Sequence, residues 1–327
     1  MSPAMRHVLF IASDGLDAVE GAAIMRRAPH SKAFRVVCAR QDGLVPADME
    51  PIDASTPAAA MSALDSLPKP TLVVSVGNTP LALWASMWAV HHGIPTMHHH
   101  AGLRGSDLAS DRIGTAIDAT SDLLSFMARQ DQRCAAFSSG TARIVGWPSM
   151  EAWSGCLPST LRAEQGESGC LALLGPASPS QYGRIAKIVD ACMHACRRFT
   201  VYASKEFRDT IVKVNVPLPD GFELRVPAGA AELAEGVAKS RMLVTNDERL
   251  QALSAVAGCP IALVGGKPSI RWLIRQGPEY AVHVDMSDHS AAGAIRRFWD
   301  SLPPEPFRVA PTPASASAVV EWVRPFL

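Results

Sequence analysis

Short runs of consecutive apolar residues alternate along this chain with longer segments of helical period. Val8-Leu9-Phe10-Ile11-Ala12 reads as a buried strand, with a helix from about Asp17 to Arg27 and a second strand at Phe34 to Cys38. Thr71 to Val76 is the clearest strand. It breaks at Gly77-Asn78-Thr79-Pro80, where Asn78 or Thr79 suits an N-cap and proline suits the first turn of a helix from Leu81 to His91. Strands are expected at Ile94 to His98, Leu123 to Ala128 and Ala142 to Val145, with a helix near Arg112 to Ala119. The rhythm stops between Gly146 and Gly169, which holds Pro148, Pro158 and several Ser and Gly residues. It restarts at Cys170 to Leu174, followed by a helix from Gln181 to Arg197. Further strands are expected near Phe199 to Tyr202, Phe222 to Val226, Met242 to Thr245, Ile261 to Val264 and Tyr280 to Val284. A helix at Ser315 to Val323 follows a proline-rich connector.

Strands alternating with helices imply parallel sheets covered on both faces. The 327 residues suit two such domains. The expected division is a first domain over 1–150, a linker over 151–168, a second domain over 169–310, and a closing segment over 311–327 that crosses back to the first. Ligands of open α/β sheets bind at the carboxyl ends of the strands, so a cleft between two such sheets is the expected site.

Composition narrows the function. Lys plus Arg and Asp plus Glu are 31 each, which argues against a protein built to bind nucleic-acid phosphates. No signal peptide and no run of about 20 apolar residues is evident, so neither secretion nor membrane insertion is expected and the cytoplasm is. The seven cysteines are scattered, with only Cys192 and Cys196 one turn apart, which suits reduced thiols packed as small apolar groups.

The loops after the strands carry the candidate chemistry. Ser13-Asp14-Gly15 follows the first strand, with Asp17 and Glu20 behind it. Gly15 permits a tight turn against a ligand, and Asp14 could act as a base or bind a sugar hydroxyl; helix capping explains the same residues. This is not a Gly-x-Gly-x-x-Gly loop, so no nicotinamide cofactor is expected. Asn78 can hydrogen-bond a ligand but cannot take a proton. His98, His99 and His100 end a strand and enter a loop. Strand alternation puts His98 and His100 on one side and His99 on the other. An imidazole there can accept a proton from a hydroxyl or amine. A zinc site built from the two same-side histidines with Asp107 or Asp111 is the rival, and a solvated loop the bland alternative. Arg104 suits a phosphate or carboxylate. In the second half, Thr245-Asn246-Asp247-Glu248 ends a strand, with Thr245 and Glu248 also fitting a capping box. Gly265-Gly266-Lys267 offers backbone amides and a charge to an anion.

His98-His99-His100-Ala101-Gly102-Leu103-Arg104-Gly105-Ser106-Asp107 resembles the His-Val-Glu-Ala-Gly-Leu-Arg-Thr-Gly-Asp segment of bacterial UDP-N-acetylglucosamine 2-epimerases. Val76-Gly77-Asn78-Thr79 is similar to that family's Gly-Asp-Thr, and Asp118 with Ser121-Asp122-Leu123-Leu124 to its Asp-x-x-Ser-Asp-x-x-Phe. Val145 to Ala152 is similar to its Val-Gly-Asn-Pro-x-x-Asp-Ala, and Gly258 to Val264 also looks familiar. The resemblance implies the GT-B fold, two Rossmann-like parallel-sheet domains facing a cleft. It implies a nucleotide diphosphate held by the second domain, near Gly175, Ser178, Thr245 to Glu248 and Gly265 to Lys267. The first domain would then hold the acceptor, near Asp14 and His98 to Arg104.

The departures fall on the epimerase acids. Asn78 stands at an aspartate, His100 at a glutamate, and Asp111 is the carboxylate left near the Pro-Glu-Glu-x-Asn-Arg signature. Proton abstraction at a sugar carbon therefore lacks its usual agents. The expectation is a glycosyltransferase taking a UDP-sugar donor and a small acceptor, with His98, His100 or Asp14 as base. It needs no metal or other cofactor, binds no nucleic acid, and admits a homodimer. The alternatives are a 2-epimerase using Asp111 and a histidine, and a catalytically silent nucleotide-sugar-binding protein.

Overall fold

The computed structural model describes residues 6–28, 33–39, 44–46, 49–103, 108–133, 135, 141–158, 168–173, 182–195, 198–214, 220–264, 279–285, 291–302 and 315–327. The chain divides into two compact units, Met1–Ala152 with Thr312–Leu327, and Trp153–Pro311.

The first unit holds strands β1 (Val8–Ala12), β2 (Phe34–Cys38), β3 (Glu50–Pro51), β4 (Leu72–Val76), β5 (Thr96–His99), β6 (Leu123–Phe126) and β7 (Thr141–Ile144). Its helices are α1 (Gly15–Arg26), α2 (Pro57–Asp65), α3 (Pro80–His91), α4 (Leu108–Thr120), α5 (Arg129–Gln132) and α6 (Pro148–Cys156). Its sheet runs β3-β2-β1-β4-β5-β6-β7, every pairing parallel. The chain starts at β1, builds outward to β3, then returns to β4 and builds the other way. That reversal leaves a crevice at the carboxyl ends of β1 and β4, the place where such sheets bind ligands.

All five residues of β1 are buried, because both faces of the sheet are covered. Val8, Phe10 and Ala12 face α1 and a closing helix, while Leu9 and Ile11 face α2 and α3. Thr79 caps α3 by accepting from the Ala82 N–H, with Pro80 next in line.

The second unit holds β8 (Gly169–Leu173), β9 (Phe199–Ala203), β10 (Phe222–Arg225), β11 (Leu243–Thr245), β12 (Ile261–Val264) and β13 (Ala281–Val284). Helices α7 (Tyr182–Ala195), α8 (Lys205–Val214), α9 (Ala230–Ala238), α10 (Gln251–Ala257) and α11 (Ala291–Ser301) lie between or after them. The sheet order β10-β9-β8-β11-β12-β13 repeats the reversal, here between β8 and β11. Each unit is thus a Rossmann-like parallel sheet. Among the described residues no helix is long and apolar enough to cross a membrane.

Two details differ from the sequence reading. The segment expected to begin a linker at 151 is helical as far as Cys156. Met150, Ala152 and Trp153 are buried there, and Pro148 at the start favours the first turn. The short β3 and the helix α2 lie between the second and third expected strands, in a stretch whose alanine-rich pattern gave little periodic signal.

The helix α12 (Ser315–Val323) completes the first unit's core with Ala316, Val319, Val320, Trp322 and Val323. Glu151 accepts from the Ala316 N–H at its start (3.1 Å), and Arg143 lies 5.6 Å over the Trp322 ring. Trp322→Ala should therefore lower the unfolding free energy by about 3 kcal/mol. Urea denaturation measures it; a change within noise would mean the helix does not complete this core.

Candidate functional site

The first unit's crevice is built from three strand ends. At β1, Asp14 is the N-cap of α1 and accepts from the Leu16 and Asp17 N–H groups (3.1 and 3.3 Å). Asp17 accepts from the Ser13 N–H (3.2 Å). Two acids at a helix N-terminus match its dipole. The Ser13 and Thr79 hydroxyls lie 2.5 Å apart and tie the β1 loop to the β4 loop. Asp14 is buried in this capping geometry rather than presented as an open base.

At β4, the Asn78 amide donates to the Leu103 carbonyl (2.7 Å), which fixes its orientation. Its Oδ1 is buried without a hydrogen-bond partner. Gly114 makes this approach feasible, since a Cβ there would sit 2.4 Å from Asn78 Oδ1. Asp111, one turn earlier on α4, also keeps a buried carboxylate oxygen without a partner. Two unfilled acceptors near one helix suit a ligand that brings its own hydroxyl or amine donors.

At β5 the alternation expected of the three histidines fails. His100 has φ +74°, and it is the only non-glycine residue with positive φ among those described. The left-handed turn swings it onto the side of His99, away from His98. His98 and His100 therefore do not pair, and the rival arrangement of zinc held by these two histidines has no basis in this geometry.

His98 is fully buried and points into the scaffold. Its Nε2 donates to the Gly77 carbonyl (3.1 Å), and its Nδ1 is hydrogen-bonded to Asp118 Oδ1 (2.5 Å). Asp118, also fully buried, accepts from the Gly102 N–H with its other oxygen (3.3 Å). With both ring nitrogens engaged, His98 holds the β4 and β5 loops together and is not placed to act as a base. Gly102 is required where it is: at φ +73°, a Cβ would lie 2.0 Å from the Asp131 carbonyl oxygen.

His99 and His100 converge instead on Glu20, from the middle of α1. Both Nε2 atoms lie 3.0 Å from Glu20 Oε1, and His100 Nε2 is also 3.0 Å from Oε2. His99 Nδ1 meets the Ser125 hydroxyl on β6 at 2.5 Å. All four residues are buried, and His100 is 5% exposed. Burial by itself would raise the Glu20 carboxyl. The charge and hydrogen bond of His100, with those of His99, overturn that and hold it far below the usual carboxylate range. Burial, reinforced by His100 and opposed by Glu20, pushes the His99 imidazole below its ordinary value. Glu20 is thus an ionised acceptor. Both Nε2 atoms carry protons toward it, and the Ser125 hydroxyl donates to His99. Burial likewise raises the Asp131 carboxyl, while the Ala128 N–H and the charge of His100 pull it down.

The sequence reading named Glu20 and His99 only as neighbours of its chosen site residues, and Ser125 not at all. The signal for Glu20 was present: every residue of α1 from Gly15 to Ile24 is buried, and a glutamate inside such a helix demands partners. Ser125 in an apolar strand carries the same signal.

In the second unit, Thr245 is fully buried and donates to the Ala172 carbonyl (2.8 Å), joining β11 to β8. It accepts from the Asp247 N–H at 3.1 Å. The Thr245–Glu248 capping box does not form. Asp247 is the cap of the short helix Glu248–Leu250, and its carboxylate also holds the Arg249 guanidinium (2.7 Å). Asn246, Asp247 and Glu248 sit at the β8–β11 switch point. Gln251 there keeps a buried, unpartnered Oε1. Arg104, Gly175, Ser178, Gly265, Gly266 and Lys267 lie outside the described residues, as does Asp107.

Asp118 is the partner of two buried groups, His98 Nδ1 and the Gly102 N–H, and removing it leaves both unsatisfied. Asp118→Ala should cost about 3 kcal/mol of stability, measured by chemical denaturation. A loss below about 1 kcal/mol would show that His98 does not depend on Asp118.

No protein-family model matches the chain, and no curated protein matches it by sequence. Solved structures match over nearly its whole length. The S. aureus MnaA–UDP co-structure has a TM-score of 0.80 at 12% identity, covering 98% of this chain and 97% of that one. The Methanocaldococcus jannaschii UDP-GlcNAc 2-epimerase in complex with UDP-GlcNAc and UDP gives 0.79 at 12% identity, covering 98% and 99%. The Neisseria meningitidis UDP-GlcNAc 2-epimerase bound to UDP-GlcNAc gives 0.77 at 13%, covering 98% and 100%. The chain therefore shares the two-domain α/β fold of the UDP-GlcNAc 2-epimerases.

Proposed function

We propose that this chain is a glycosyltransferase that moves a sugar from a UDP-sugar to a small acceptor. One observation carries the reading. Where the epimerase pattern has a glutamate, this chain has His100, locked with His99 onto Glu20 at the ligand-binding crevice of the first unit. With Asn78 at the aspartate position as well, the crevice carries an amide and an imidazole where the epimerase pattern has acids, and the imidazole suits activation of an acceptor hydroxyl or amine. His100 is the most exposed member of the cluster, at 5%. The unfilled oxygens of Asn78 and Asp111 would orient the acceptor.

The second unit would hold the nucleotide diphosphate around Asn246 to Glu248, with Gly175, Ser178 and Gly265 to Lys267. Backbone amides of the second unit, with Lys267, would stabilise the departing diphosphate. Fold likeness to structures that hold UDP or UDP-GlcNAc supports the donor class.

Epimerisation of UDP-GlcNAc is the second reading. It is favoured by the matched structures, which are epimerases, and by Asp111, whose buried oxygen is unpaired. Incubation with UDP-GlcNAc in deuterated water separates the two, because only an epimerase places deuterium at C2.

UDP should raise the thermal midpoint, since a ligand that binds only the folded state stabilises it. Transfer to a panel of small hydroxyl and amine acceptors should be detected as UDP release. His100→Ala should lower its kcat at least about 100-fold, with the UDP-induced shift kept. Full transfer by that variant would remove the cluster from the reaction, and UDP affinity with no turnover across the panel would leave a binding protein.

A further inference from the structure

We propose that Glu20, His99 and His100 form a site for one divalent transition-metal cation, with zinc as the reference ion. The inference takes the crevice of the first unit as the functional one, as above, but stands on the cluster's own geometry.

Three potential ligand atoms, one from each residue, all lie within 4.8 Å of one another, and all three residues are buried. Zinc bonds of 2.0–2.2 Å in a tetrahedron place neighbouring ligand atoms about 3.3 Å apart. The two Nε2 atoms each sit 3.0 Å from the same carboxylate oxygen, within tenths of an ångström of that spacing, and no pair of the ligand atoms is more than 4.8 Å apart. Two imidazoles and a carboxylate suit zinc, iron or nickel rather than magnesium or calcium. Three protein ligands leave a coordination position for water or substrate.

The surroundings match a metal site in two further respects. The Ser125 hydroxyl at His99 Nδ1 can turn from donor to acceptor, so the neutral imidazole moves its proton to Nδ1 and frees the Nε2 lone pair. The left-handed backbone at His100 has a cost, and convergence of His100 on the Glu20–His99 point is what it yields. A cation here would lower the pKa of an acceptor oxygen by coordination. The cluster would then activate the acceptor as a Lewis acid instead of accepting its proton.

The test is metal content and zinc affinity of the full chain. Protein purified without chelators should carry about one equivalent of transition metal by mass spectrometry. After chelator treatment and dialysis, calorimetry should show one zinc site with Kd of about 1 µM or tighter. Glu20→Gln and His100→Gln should each abolish it. Ser125→Ala, which leaves all three ligands in place, should weaken it about 10- to 100-fold. His92→Ala should change nothing, which excludes the exposed His92–Asp65 pair as the binder. Circular dichroism confirms that each variant is folded.

A chelated wild-type chain that takes up no zinc, or one-site binding that survives both Glu20→Gln and His100→Gln, overturns the site. UDP titrated into the same chelated protein keeps the two readings apart. UDP binding without zinc binding sinks only the metal, and zinc binding without UDP binding sinks only the nucleotide-sugar reading.

Discussion

One carboxylate constrains the first unit more than any other group. Glu20 lies in the stretch of α1 from Gly15 to Ile24 in which every residue is buried, and a charge there is tolerable only if it is met by donors. His99 and His100 meet it together, and that requirement explains the unusual backbone at His100. Regular β geometry would point neighbouring side chains to opposite faces. A positive φ costs free energy for a histidine, and the gain is a second imidazole on the same carboxylate. Ser125 then fixes His99 from the far side.

The residues that resemble the epimerase pattern and the residues that depart from it do different work. Asp118 binds His98 and the Gly102 amide. Ser121 donates to the Ile117 carbonyl, and Asp122 accepts from the Thr96 N–H at the start of β5. Gly102 passes within contact of the Asp131 backbone. All of these shape the loops and strand ends of the crevice. Asn78 and His100 stand where the resembled pattern has acids, at the ends of β4 and β5. Residues that match the pattern thus build the scaffold, and those that depart from it lie at the crevice; a shared fold can carry different chemistry.

The sequence was most legible where burial is two-sided. The strands Val8–Ala12, Phe34–Cys38 and Ile261–Val264 read directly from continuous apolar runs. The helix Ser315–Val323 was legible from its apolar period. The GT-B-type fold followed from a loop motif and the order of elements. The site was less legible, because a side chain's direction depends on backbone angles that residue type does not reveal. Alternation rules placed His98 with His100, and a single left-handed residue reversed the pairing. Glu20 looked like part of an acidic helix start until its neighbours on β5 and β6 were in place. The capping role of Asp247 was hidden for a similar reason. Thr245 offered an equally good local signal, but its hydroxyl was taken by the Ala172 carbonyl of a strand more than 70 residues away.

The central claim is that Glu20 and His100 act as one unit, whether a proton or a cation lies between them. A double-mutant cycle in unfolding free energy, from Glu20→Gln, His100→Gln and the pair, tests it without knowledge of any substrate. The account predicts a coupling of about 1 kcal/mol or more between the two positions. Losses that add to within about 0.3 kcal/mol would contradict it.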